Sequence, residues 1–135
     1  MKIAFVVTDL SNTRIGGISR VATEVGANLV ELGHEVTAYV LRRSPDQKAA
    51  ALNGIRLRYI EPFPTLNLDY PVVGFSYRAF GQLKRDLSQD RFDIVQSFNL
   101  NAMALCRYAK TIGNAGGRVV VSSYETIMML SLIHI

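Results

Sequence analysis

Five apolar residues in a row, Ile3 to Val7, follow Lys2 and precede Thr8 and Asp9. An unbroken run this short and this rich in β-formers predicts a parallel strand covered on both faces. Beyond two adjacent glycines, Gly16 and Gly17, the period changes. Ile18, Val21, Ala22, Val25, Leu29 and Leu32 recur at helical spacing, which predicts an amphipathic helix with these six on one apolar stripe. Gly33 supplies the stop, and residues 35–41 (EVTAYVL) begin a second strand. The glycines fall where the chain turns from strand into helix, a place suited to holding an anion.

The remaining pattern repeats the alternation. Residues 42–54 (RRSPDQKAAALNG) predict a loop with one helical turn around Ala49 to Leu52. Ile55, Leu57 and Tyr59 alternate with Arg56 and Arg58, so a third strand follows with one face less buried. Pro62, Pro64 and Pro71 impose an extended connection. Val73, Tyr77, Phe80, Leu83 and Leu87 then share a helix face, with Arg78, Lys84, Arg85 and Asp86 largely elsewhere. Residues 93–97 (DIVQS) predict a fourth strand, residues 102–112 a helix stopped by Gly113, and residues 118–123 (RVVVSS) a fifth strand.

Strands alternating with helices predict an α/β domain: a doubly wound, Rossmann-like parallel sheet with helices on both faces. The first strand is then central, flanked by the second and fourth, and ligands bind beyond the carboxyl ends where the winding reverses. Two loops face that crevice, residues 8–17 and 97–101, with Tyr124 and Glu125 next along.

Composition narrows the function classes. At 135 residues and 49% hydrophobic content the chain can build one globular core. Fifteen basic and eleven acidic residues leave a net charge of +4, spread along the chain. That suits phosphate-bearing ligands or an anionic lipid surface, and no basic run interleaved with aromatics points to nucleic acid. The single Cys106 forbids an internal disulfide, fits a reducing compartment, and is expected as a buried apolar residue. With only His34 and His134, no metal-ligand spacing exists. His34 is expected in the helix-to-strand turn. No signal peptide or membrane span is visible, so the expected location is cytoplasmic.

Three pieces together, GGISRVATEVGANLVELGHEV (residues 16–36), DIVQS (93–97) and VVVSSYE (119–125), match a known family in order and separation. The chain resembles the amino-terminal domain of the retaining glycosyltransferases of the GT-B fold, glycosyltransferase family 4, over residues 1–126. The resemblance implies an acceptor-side domain whose Gly-Gly loop approaches the diphosphate of a nucleotide sugar held chiefly by a second domain. Gly16 and Gly17 are then the phosphate contacts, unless they serve only the strand-to-helix turn. Where the family often has histidines, this chain has Gln96, Phe98 and Tyr124. Gln96, Asn99 and Tyr124 can still hydrogen-bond a sugar hydroxyl. Asn99 serves equally as a helix cap, Tyr124 as strand packing, and Asp9 as either a hydroxyl ligand or an Asx turn.

No residue is assigned as general base or nucleophile, and neither cofactor nor metal is implied; the nucleotide sugar is substrate. Partners are that donor and a sugar or lipid acceptor, with peripheral membrane contact through the 73–87 helix as an alternative to its packing on the sheet. The family's second domain is missing from this sequence. The apolar residues 127–135 (IMMLSLIHI) read as a truncation point, Leu130 to Ile135 being suspect as native sequence. Two other classes compete. A non-catalytic sugar- or nucleotide-binding module would use the same crevice. An NAD(P)-binding protein would want G-x-G-x-x-G directly after the first strand, whereas residues 8–15 intervene.

Overall fold

A computed structural model describes residues 1–7, 10, 17–41, 51–60, 77–98 and 118–121. In chain order the elements are β1 (Lys2–Val7), α1 (Gly17–Glu31), β2 (Glu35–Leu41), β3 (Ala51–Leu52), β4 (Ile55–Ile60), α2 (Tyr77–Asp90), β5 (Ile94–Ser97) and β6 (Arg118–Val121). They form one six-stranded sheet in the order β3-β4-β2-β1-β5-β6. Every pairing is parallel except β3 with β4. The expected doubly wound α/β arrangement is therefore present, with β1 between β2 and β5. No helix among the described residues is long and apolar enough to cross a membrane.

Ile3 to Val7 are all buried, as their unbroken apolar run requires for a strand covered on both sides. Side-chain alternation separates the two layers. Ile3, Phe5, Val7, Val36, Ala38, Val40, Ile55 and Leu57 form one core with Ala22 of α1. The intervening residues face α2. There Arg58 Nη1 lies 3.1 Å from Asp90 Oδ2 and 3.6 Å from Asp86 Oδ2, and the Tyr39 hydroxyl donates to Asp90 at 3.5 Å. Phe92 meets the Tyr39 ring edge-on at 6.0 Å. Leu83 and Leu87 are buried from α2, as their spacing predicts.

The face that α1 turns inward differs from the expected stripe. Ser19, Ala22, Thr23 and Gly26 are its buried residues, a run of i, i+3, i+4 and i+7 that makes one helical face. Val25 and Leu32 stand in solvent, Leu32 at 73% exposure. Ile18, Val21 and Leu29 pack only along the margin of the core. Size decides this over hydrophobicity. A Cβ on Gly26 would come within 2.5 Å of Ile55 Cδ1 and 3.1 Å of Phe5 Cε2, so the helix lies too close to the sheet for larger side chains along its centre. Thr23 tolerates burial because its hydroxyl donates to the Ser19 carbonyl at 2.8 Å.

Gly33 ends α1 as expected, with φ +84°. The Gly33 N–H donates to Val30 O at 2.9 Å and the His34 N–H to Leu29 O at 3.0 Å, the paired bonds of a Schellman cap. His34 thus occupies the turn assigned to it, half-buried.

A second correction concerns Ala49 to Leu52. Instead of a helical turn, Ala51–Leu52 is strand β3, pairing antiparallel with β4 through Leu52 opposite Ile55. Asn53 at φ 49° and Gly54 at φ 79° make the two-residue connection. Positive φ at both central positions is the primed turn that Asn-Gly favours, since its twist suits a hairpin. The sheet consequently has six strands rather than five, and the expected third strand is β4. Elsewhere α2 runs on to Asp90, and β5 starts at Ile94 with Asp93 just outside it. Asp93 ties this end to β1: its N–H donates to Lys2 O at 2.9 Å, and its carboxylate accepts the Lys2 N–H at 2.8 Å. The proline-rich connection, Val73, the 102–112 helix, Cys106, His134 and residues 127–135 lie outside the described residues.

Two stability measurements check this packing. Gly26→Val is expected to destabilise the fold by about 1–3 kcal/mol in urea unfolding, because buried Ile55 and Phe5 must yield; an unchanged midpoint would disprove the close approach. Burial, aided by Asp86 and Asp90 and opposed by Arg58, raises the Tyr39 phenol above its ordinary 10.0. Its contribution is fully present below pH 10 and falls away as pH rises past the unfolded value, where only the unfolded chain ionises. Tyr39→Phe should flatten the loss of stability as pH rises above about 10.

Candidate functional site

The crest of the sheet between β1 and β5 is where the winding reverses: the chain leaves β1 towards α1 and β2, yet β5 pairs on the other side. A crevice at such a reversal lies beyond the carboxyl ends of the strands. Gly17 begins α1 directly there. The first-turn N–H groups of a helix have no intrahelical partners and carry its positive end. No acidic residue stands in the first turn of α1 to neutralise that end.

Gly17 itself is exposed. No atom of the described residues lies within 4 Å of where its Cβ would be. Its φ is not among the positive values, which among the described glycines belong to Gly33 and Gly54. Neither backbone conformation nor a described neighbour therefore explains glycine at this position. One turn on, Arg20 Nε donates to Glu24 Oε1 at 2.8 Å, and that hydrogen bond raises the already high Arg20 pKa, so this guanidinium is matched by a carboxylate of opposite charge.

The second wall comes from β5. Gln96 is half-buried and pairs in register with Phe5, so it shares the α1 side of the sheet. Phe98, on that same side, is 1% exposed and meets Phe5 edge-on at 4.8 Å. It therefore floors the crevice as core and offers no polar contact there. Leu10 also folds into this core at 4% exposure; a lone leucine in a polar loop was the only signal for it. Of the expected site residues, Gly17 and Gln96 are placed on the two sides of the β1 crest. Gly16, Asp9, Asn99 and Tyr124 lie outside the described residues.

Ser97 opens the loop expected to face the crevice. It is fully buried, and its hydroxyl has no hydrogen-bond partner among the described residues. A shallow cleft of about 440 Å³ does exist elsewhere, bordered by Lys2, Glu35, Asp90, Arg91 and Asp93. It lies at the amino ends of the strands, against the carboxyl ends of α1 and α2. Both helix dipoles there disfavour an anion, so the crest is the better phosphate site. Among the described residues, no group of three or more His, Cys, Asp or Glu could hold a metal ion.

Ser97→Ala is expected to leave stability unchanged or to raise it by up to about 1 kcal/mol, because an unsatisfied buried hydroxyl is removed. A clear loss in urea unfolding would show that the hydroxyl has a partner after all.

Comparison with known proteins bears on this geometry. No curated protein matches the chain. The sequence model of Glycosyltransferase Family 4 matches residues 15–131, from the residue before the glycine pair through β6 and beyond. That stretch contains both described walls of the crevice and most of the sheet. The chain belongs to glycosyltransferase family 4, with the Rossmann-like domain of the amino-terminal type found in GT-B enzymes.

Proposed function

We propose that this domain forms the acceptor side of a retaining glycosyltransferase that uses a nucleotide-sugar donor. Gly16 and Gly17 present backbone N–H groups to the donor diphosphate, and a second domain supplies the remaining donor contacts. The observation that carries this reading is Gly17: a glycine at the start of α1, at the winding reversal, with no described steric or conformational reason to be glycine. A bare N–H at a helix start can approach an oxyanion more closely than one shielded by a Cβ.

Gln96 would bind an acceptor or donor hydroxyl from the opposite wall, with Asp9, Asn99 and Tyr124 contributing from the surrounding loops. Diphosphate departure then draws on helix-end stabilisation present before the reaction, which needs no reorganisation as charge develops. No metal ion has a part in this scheme, and the reaction belongs in the cytoplasm where nucleotide sugars are substrates. If the acceptor is a lipid, α2 contributes charge rather than apolar insertion. Leu83 and Leu87 are buried against the sheet, while Arg85 is exposed.

The test separates ligand from fold. In the amide spectrum of the chain, a nucleoside diphosphate such as UDP or GDP at about millimolar concentration should shift Gly16 and Gly17. Gly17→Val should fold with a urea midpoint near that of the parent chain, since no described atom lies in the way and valine is a better helix residue than glycine. Its diphosphate affinity should fall at least about tenfold, equivalent to about 1.4 kcal/mol. Unchanged affinity in that variant would overturn the proposal. Binding of NAD(P) with silent glycine amides would instead favour a dinucleotide-binding protein.

A further inference from the structure

We draw no further inference here: the strongest candidate, the margin of α1 where Val25 and Leu32 stand exposed, is an unpartnered apolar helix edge, and nothing in the structure shows what covers it.

Discussion

The distance between α1 and the sheet governs the rest of this domain. Gly26 sits against Ile55 and Phe5 with no room for a methyl group, and the residues beside it on that face are Ser19, Ala22 and Thr23. Small side chains let the helix backbone descend onto β1, β2 and β4. Dispersion contacts strengthen steeply at such separations, so the seat is specific as well as close. The Schellman cap at Gly33 then fixes where the helix ends and hands the chain to β2 at Glu35. A helix held at its middle and at its carboxyl end has a determined amino end. That end is Gly17.

From this follows the polarity of the molecule. All strands except β3 run the same way, so the described helices return antiparallel to them and share one orientation. Positive helix ends gather at the crest of the sheet and negative ends at its base. The Phe5–Phe98 contact closes the crest from below, keeping the anion-favouring surface above an apolar floor. The proposed diphosphate contact would draw on that surface without a dedicated charged side chain. Arg20 and Glu24, both largely exposed, form an ion pair one turn into the helix.

Much of this was legible in residue order. The continuous run Ile3 to Val7, the alternation of Ile55, Leu57 and Tyr59, and the glycine stop at Gly33 each reflect a local rule that tertiary structure upholds. The central place of β1 follows from the reversal of winding in a doubly wound sheet. Rotation of α1 was not legible, because counting apolar residues ranks Val25 and Leu32 above Ser19 and Thr23, whereas a close helix–sheet seat selects for volume. The β3–β4 hairpin was legible in principle: Asn53-Gly54 is a strong hairpin signal, outweighed in the reading by the alanines before it. Phe98 and Ser97 show a different limit. Whether a residue at a strand end faces ligand, core or neither depends on register, and register is a property of the assembled sheet. The candidate site was legible to the extent that Gly17 and Gln96 stand on either side of the β1 crest; loop residues such as Asp9 and Asn99 have no periodicity from which a position can be derived.

The two margins of the sheet are unlike. On one, β3 contributes two residues that pair only with Ile55 and Arg56, and the rest of β4 has no partner on that side among the described residues. On the other, β6 (Arg118–Val121) is hydrogen-bonded to β5 and, among the described residues, to no further strand. A strand added beside β6 would extend the sheet away from the hairpin and leave the Gly17 crest in the interior of the array.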